Sequence, residues 1–83
     1  MNRGEIDGVL TEIFSDIFGK PRDSFGVGTN PDTLPDWDSL AHIRLISALE
    51  EHFDRRIPLE DQVDMLSFEL IGDIIEMPDD SGG

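Results

Sequence analysis

The segment from Pro35 to Phe53 restricts the fold most strongly, because a helix-start signal is followed there by a long amphipathic run. Asp38 is a residue type that caps helices by accepting hydrogen bonds from backbone N–H groups of the first turn, and Trp37 before it can pack onto the next turn as a hydrophobic staple. Ser39 therefore falls at the first helical position. Its hydroxyl is expected to be exposed at the positive end of the helix dipole, where a phosphate group is well tolerated.

Two faces of this helix follow when its residues are projected at about 100° per residue. The apolar face is predicted to pack in the core and contains Leu45, Ile46, Leu49 and Phe53, with His42 at its edge. The opposite side, called the outer face below, is predicted to be exposed and contains Leu40, Ile43, Arg44, Ser47, Glu50 and Glu51. A core does not need the apolar residues of the outer face. The outer face is therefore a candidate docking surface, although scattered exposed apolar residues are also ordinary.

Three further segments have helical character. Residues 5–18 place their apolar side chains within about half of a helical projection, and Gly19 supplies a stop signal. Pro58 starts a short helical turn that runs to about Asp64. Ser67 is predicted to cap a last helix of residues 68–76. Together these segments predict an all-α fold, an antiparallel bundle of three main helices plus one short helix.

The connection of residues 19–37 contains too many glycines and prolines for a helix or a regular strand, so it is predicted to be a long ordered loop. A loop of this length inside a compact domain is uncommon unless it is functional or pinned to the core. Three apolar side chains are the predicted pins: Phe25, Val27 and Leu34.

Smaller features flank the short helix and lie in the last one. Arg55 and Arg56 follow the serine helix, where cations complement the negative end of its dipole. Leu59 and Val63 lie one turn apart and are predicted to face inward. Gly72 weakens the interior of the last helix and is predicted to mark close helix packing.

Asp38-Ser39-Leu40, followed by a helix that ends in Leu49-Glu50-Glu51-His52-Phe53 and then by Ile57-Pro58, resembles the acyl carrier protein family. The resemblance covers nearly the whole chain, because the upstream helix, the long loop, the serine helix, the short helix and the closing helix all have counterparts. Residues 1–77 are then one acyl carrier domain. The short, polar segment 78–83 is expected to be a flexible C-terminal tail.

The resemblance implies that Ser39 is esterified by a 4′-phosphopantetheine arm, whose thiol carries an acyl group as a thioester, with Asp38 and Leu40 completing the cofactor-binding motif. The chain contains no cysteine, which agrees with a thiol supplied by the arm without diagnosing it. The protein is then a carrier and not itself an enzyme, with no catalytic or metal-binding residues. Its implied partners are a phosphopantetheinyl transferase, an acyl-loading ligase or acyltransferase, and a ketosynthase or another acyl-transferring enzyme.

The details of the match favour one branch of the family. Trp37 before the motif and Leu59 after Pro58 resemble discrete carriers of polyketide or related specialised-metabolite biosynthesis. Arg44 stands where many carriers of fatty acid synthesis have an acidic residue. A carrier of fatty acid synthesis remains the alternative. The Gly-Gly-His-Ser-Leu sequence usual in peptidyl carriers is absent, which ranks an aminoacyl cargo lower.

The charge of the chain limits its partners. Nineteen acidic residues against six basic ones give a formal net charge of −13, which repels nucleic acid and anionic membrane surfaces. Partners are therefore expected to present basic patches. The protein itself is expected to be a monomer. Taken alone, an acidic surface can simply keep a protein soluble. No apolar run of signal-peptide or membrane length occurs near the start, since Arg3, Glu5 and Asp7 interrupt it, so a cytoplasmic location is expected.

Other functions are compatible with single features of the sequence. A carrier-like adaptor would use the outer face to bind a protein, with Ser39 never modified. Asp38, Ser39 and His42 also suggest a hydrolase triad, since residues three apart on a helix are neighbours. The Gly-x-Ser-x-Gly elbow that displays many nucleophilic serines is absent, however, and His42 is more simply a boundary residue beside the core.

Two binding motifs are disfavoured by their spacing. Asp32, Asp36 and Asp38 do not match an EF-hand calcium loop and lack its glycine and closing glutamate, so no metal site is predicted. The stretch Gly26-Val27-Gly28 lacks both a preceding strand and the Gly-Lys-Ser/Thr ending of a phosphate-binding loop.

Overall fold

The computed structural model of the protein describes residues 2–77. The helices follow in the order α1 (Arg3–Phe18), a short 3₁₀ turn (Arg22–Ser24), α2 (Ser39–Phe53), α3 (Leu59–Asp64) and α4 (Phe68–Glu76). Within residues 2–77 there is no strand. The predicted all-α fold of three longer helices and one short helix is confirmed, while the predicted tail of residues 78–83 lies outside the described residues.

Local sequence signals set the helix ends. The Asn2 side chain accepts a hydrogen bond from the Glu5 N–H at 2.9 Å, so α1 begins two residues before the predicted start at Glu5. Gly19 ends α1 with a φ of 68°, a left-handed conformation that glycine adopts without steric cost. Ser67 caps α4 as predicted, because its hydroxyl oxygen accepts from the Leu70 N–H at 3.0 Å.

The core lies between α1, α2 and α4, where α1 contacts both other helices. Phe14 is fully buried at its centre, and four aromatic rings have centroids between 5.3 and 5.7 Å from its own: Phe18, Phe25, Trp37 and Phe68. The predicted apolar face of α2 is confirmed for Leu45, Ile46 and Leu49, while Phe53 is only partly buried. Aromatic burial therefore joins the loop to the helices.

The α1–α2 loop is pinned by two of its three predicted residues. Phe25 and Leu34 are buried, whereas Val27 is 68% exposed, so its predicted inward position is wrong. The reason is a tight turn in which the Thr29 N–H donates to the Gly26 carbonyl at 2.9 Å, which leaves Val27 at the tip.

Helix α3 departs from the prediction in the same way. Leu59 is 73% and Val63 58% exposed, so their predicted inward orientation is wrong, and none of the six residues of α3 is buried. The buried anchors are instead Ile57 before the helix and Met65 after it. A helix of less than two turns is positioned here by its flanks, so its own apolar residues are left on the surface.

Arg3 joins the start of α1 to α4. It donates to Asp73 at 2.7 Å, to Asp7 at 3.1 Å and to the Glu69 carbonyl at 3.0 Å. The hydrogen bond to Asp73 is the main cause that raises the pKa of Arg3 above its ordinary value. A raised pKa stabilises the folded protein while pH stays below the ordinary arginine value, and the contribution is lost only as pH rises through the raised pKa. The guanidinium also covers Gly72, and a Cβ added to Gly72 would lie 2.5 Å from Arg3 Nη2. The close packing predicted at Gly72 is therefore packing against the Arg3 side chain.

Arg55 serves a helix end, as predicted, but the helix is α4 and not α2. Its Nη1 donates to the Ile75 carbonyl at 3.2 Å and to the Met77 carbonyl at 3.1 Å. The chain reverses at Asp54, the left-handed residue that ends α2 with a φ of 48°. The Arg55 backbone N–H still donates to the Glu50 carbonyl in the last turn of α2 at 3.2 Å, while its side chain reaches the end of α4.

None of the helices within residues 2–77 combines the length and the apolar character that crossing a membrane would require.

Candidate functional site

The start of α2 displays Ser39. The Asp38 side chain accepts a hydrogen bond from the Ala41 N–H at 2.9 Å, so the predicted N-cap is confirmed and Ser39 is the first helical residue. Ser39 is exposed. Backbone N–H groups at the first turn of a helix have no partner within the helix, and the dipole makes this end positive. The hydroxyl is therefore presented to solvent where an added anionic group is favoured.

The loop that leads to Ser39 is held on both sides. Trp37 is buried and meets Phe14 edge-on, with ring planes at 84°. Earlier in the loop, the Thr29 carbonyl accepts a hydrogen bond from the Phe68 N–H at 2.9 Å, which ties the loop to the first residue of α4. The residue before the Asp38 cap is thus fixed by the core.

His42 links three elements beside Ser39. The Trp37 indole Nε1 donates to His42 Nδ1 at 3.0 Å, and His42 Nε2 lies 2.8 Å from the Gln62 carbonyl of α3. An indole N–H only donates and a carbonyl only accepts, so the partners assign Nδ1 as the acceptor and Nε2 as the protonated nitrogen. His42 is partly buried, which confirms its predicted boundary position. Both ring nitrogens are engaged away from Ser39, so the geometry gives the hydrolase triad no general base.

The outer face of α2 is exposed except at one position. Leu40 and Ile43 are large apolar residues that are 59% and 63% exposed. The other exposed members are Arg44, Ser47 and Glu51. Glu50 departs from the prediction, because it is partly buried and its Oε2 accepts a hydrogen bond from the Ile57 N–H at 2.8 Å. The reversal of the chain after α2 brings this backbone N–H back onto the last turn of the helix.

A groove of about 450 Å³ opens beside Ser39. The loop, α2 and the segment after α3 contribute its lining, which consists of Pro31, Trp37, Asp38, Ser39, His42, Ile43 and Leu66. Most of these side chains present apolar surface next to the exposed hydroxyl. The groove thus offers a place for a long, partly apolar group attached to Ser39.

The described part of the chain contains no group of three His, Asp or Glu side chains placed to hold a metal ion. Comparison of the sequence with models of known protein families finds no match, and a search of curated proteins finds no significant match. The function is therefore argued from the site.

Sequence reasoning located Ser39, Asp38 and the outer face but missed the bonds made by His42. The staple pattern placed Trp37 against the fourth residue of α2, which is His42. No local pattern pointed to the Gln62 carbonyl, which lies 20 residues further along the chain.

Proposed function

We propose that this protein is an acyl carrier protein, which tethers acyl intermediates as thioesters on a 4′-phosphopantetheine arm attached to Ser39. The observation that carries the proposal is the exposed Ser39 hydroxyl at the first position of α2, directly after the Asp38 cap. The all-α fold, with three longer helices and one short one, supports it.

The residues around Ser39 suit the attachment of such an arm. In this step an ester bond would form between Ser39 Oγ and the phosphorus of the arm while the pyrophosphate P–O bond of coenzyme A breaks, so that 3′,5′-adenosine bisphosphate departs and a base of the transferase takes the hydroxyl proton. The first-turn N–H groups and the helix dipole favour the negative charge of the resulting phosphodiester. The groove lined by Trp37, Ile43 and Leu66 provides apolar surface for the rest of the arm. The arm supplies the thiol that the cysteine-free chain lacks.

The outer face of α2 is the docking surface in this proposal. Leu40 and Ile43 supply apolar contact, and Glu51 supplies charge for basic patches on partner enzymes. These partners are a phosphopantetheinyl transferase, an acyl-loading ligase or acyltransferase, and a ketosynthase or another acyl-transferring enzyme. Binding is weak, electrostatically steered and weakened by salt, because a carrier releases each partner before it visits the next.

The carrier itself performs no catalysis and acts in the cytoplasm as a monomer. The pathway that the sequence favours is polyketide or related specialised-metabolite biosynthesis, with fatty acid synthesis as the alternative. Arg44, exposed on the outer face, gives that surface a positive charge that selects among partners.

Intact-mass spectrometry tests the proposal after incubation with coenzyme A and a broad-specificity phosphopantetheinyl transferase. The wild-type chain gains one phosphopantetheine, and Ser39→Ala blocks the gain. The matched control is Ser24→Ala, which removes an exposed serine from the 3₁₀ turn and leaves the gain intact. Modification of Ser39→Ala, or of any residue other than Ser39, contradicts the proposal.

A second function follows from the exposed Leu40 and Ile43, which suit a protein interface whether or not an arm is present. In that case the protein is an adaptor that binds a partner through the outer face. The adaptor function is correct if several transferases leave the wild-type chain unmodified and the chain still binds a partner protein. The Ile43→Asp variant should then lose this binding.

A further inference from the structure

In addition to its buried flanks Ile57 and Met65, helix α3 is attached to the rest of the fold through polar bonds. None of its side chains is buried. The Gln62 carbonyl accepts from His42 Nε2 at 2.8 Å, and the Gln62 side-chain amide donates to the Ile57 carbonyl at 2.8 Å. Of these two bonds, only the one from His42 connects α3 to α2.

The same imidazole holds the end of the α1–α2 loop. Trp37 Nε1 donates to His42 Nδ1 at 3.0 Å, and the two ring planes are inclined to each other by 25°. Trp37 comes directly before the Asp38 cap, and both Trp37 and His42 line the groove beside Ser39. The ring therefore links the loop end, which lines the groove beside Ser39, to α3.

We propose that His42, as the neutral Nε2–H tautomer, is a positioning residue that joins the Trp37 end of the loop, next to the Asp38 cap, to α3. A protonated ring has two N–H groups and no acceptor. It keeps the bond to the Gln62 carbonyl but turns a donor towards the Trp37 indole N–H, so that bond is lost. Protonation thus removes the polar bond at the loop end that supports the Asp38 cap, while the packing of Trp37 against Phe14 and the attachment of α3 remain.

Charged groups lie on every element around the ring. No ion pair joins any of them to His42 within residues 2–77. Those closest in the chain to Trp37, His42 and Gln62 are Asp36 and Asp38 at the loop end, Arg44 on α2, and Glu60, Asp61 and Asp64 on α3. A variant at position 42 keeps all of these charges. Comparison of wild type with variants at position 42 therefore separates the effect of the His42 ring from the effect of these charges.

The bonds themselves are tested by NMR, without any modification of Ser39. Ring ¹⁵N shifts report the His42 tautomer, and the indole N–H of Trp37 gives an unambiguous signal because the chain has a single tryptophan. We expect the Nε2–H tautomer of the neutral ring, and an indole signal that changes when the ¹⁵N shifts show that the His42 ring becomes protonated. An Nδ1–H tautomer, or an indole signal that does not respond when His42 titrates, overturns the proposal.

Two variants remove different parts of the arrangement. His42→Gln retains an acceptor and a donor for the two bonds, but its side-chain amide does not become protonated. His42→Leu fills similar space with neither bond. The indole signal should become independent of pH in His42→Gln and lose its hydrogen-bonded shift in His42→Leu. His52→Gln is the control, because His52 is the other histidine, is exposed and should leave the Trp37 response unchanged. If His42→Leu does not fold, the pH comparison between wild type and His42→Gln decides alone.

The effect on Ser39 rests on the proposed function and is measured as the kcat/KM of phosphopantetheine transfer. We expect a decrease on the order of tenfold in His42→Leu, and recovery of most of it in His42→Gln, because small displacements of a reacting group slow a reaction strongly. At each pH, the kcat/KM of wild type is divided by the kcat/KM of His42→Gln, which cancels the pH dependence of the transferase. This ratio should fall on acidification with the midpoint of His42.

The outcomes separate the two proposals. If wild type and His42→Gln are both modified and the ratio of their kcat/KM values does not change with pH, the positioning role is overturned and the carrier function stays intact. If neither protein is modified, the carrier function fails, and the NMR signals still decide whether His42 holds Trp37.

Discussion

The indole nitrogen of Trp37 and the Nδ1 of His42 are joined by a hydrogen bond of 3.0 Å across the Asp38-Ser39 junction, and their ring centroids lie 6.0 Å apart. The predicted hydrophobic staple is therefore also polar, because the residue at the fourth helical position is a histidine. Trp37 contributes both its buried ring and its N–H. This contact and the packing of Trp37 against Phe14 both hold the last loop residue before the cap.

Replacement of Trp37 separates these two contributions. Trp37→Phe keeps most of the aromatic packing against Phe14 but removes the donor, and we expect a loss of about 1 to 3 kcal/mol in the free energy of unfolding. Trp37→Ala should cost about 3 to 5 kcal/mol. Urea denaturation followed by far-ultraviolet circular dichroism measures both. Equal stability of Trp37→Phe and wild type would mean that the bond to His42 adds nothing.

The Asp38 cap should contribute measurably to stability. Asp38→Ala leaves the Ala41 N–H without its side-chain acceptor, and we expect a loss of about 1 kcal/mol in thermal or urea unfolding. Asp38→Asn keeps an acceptor oxygen and should lose less. Asp36→Ala, at an exposed neighbouring carboxylate, is the control and should stay within about 0.5 kcal/mol of wild type. A loss as large in Asp36→Ala as in Asp38→Ala would point to general charge effects.

Arg3 and Gly72 should be coupled in a double-mutant cycle. An alanine at position 72 displaces the Arg3 guanidinium, so Gly72→Ala alone should gain little or lose stability. In an Arg3→Ala background the same change should stabilise by about 1 kcal/mol, the difference in helix propensity. Gly8→Ala is the matched control, because no atom lies within 4 Å of an added Cβ there. It should stabilise α1 by about the same amount in both backgrounds. Additive effects of Arg3→Ala and Gly72→Ala would refute the coupling.

Substitutions in and around α3 should differ sharply in cost. Leu59→Ser and Val63→Ser change exposed side chains, so we expect unfolding free energies within about 0.5 kcal/mol of wild type. Met65→Ala and Ile57→Ala remove buried side chains and should each cost about 2 to 5 kcal/mol. A core-like loss for Leu59→Ser would show that α3 packs inward in solution.

A charge on the outer face should affect association with the modifying enzyme. Glu51→Lys should lower the kcat/KM of phosphopantetheine transfer at low salt by about two- to tenfold, mainly through slower association. The difference should shrink as salt is added. Asp23→Lys makes the same change of net charge in the exposed 3₁₀ turn and serves as the control. Equal effects of the two variants would indicate that only net charge matters and that the outer face is not the docking surface.

The features predicted correctly from the sequence depend on residues close together in the chain. Asp38 and Ser67 cap the residues that follow them, Gly19 ends α1, and Leu45 and Leu49 fall on the buried face of α2. Caps act within about four residues and a helix repeats every 3.6 residues, so a single short window contains the information. The all-α fold and the exposed position of Ser39 follow from these local rules.

The sequence by itself thus determined the ends of the helices to within two residues and which serine stands at the first position of α2. Only the tertiary structure decided that α3 turns its apolar side chains outward, that His42 bonds to Gln62, and that Arg3 covers Gly72 and pairs with Asp73. The partners in these contacts lie 20 residues apart for His42 and Gln62 and 70 apart for Arg3 and Asp73. The periodicity of a single helix cannot predict a contact between residues so far apart in the chain. Contacts of this kind form only when whole helices have packed, because burial of the shared aromatic core sets the relative positions of the segments that carry them.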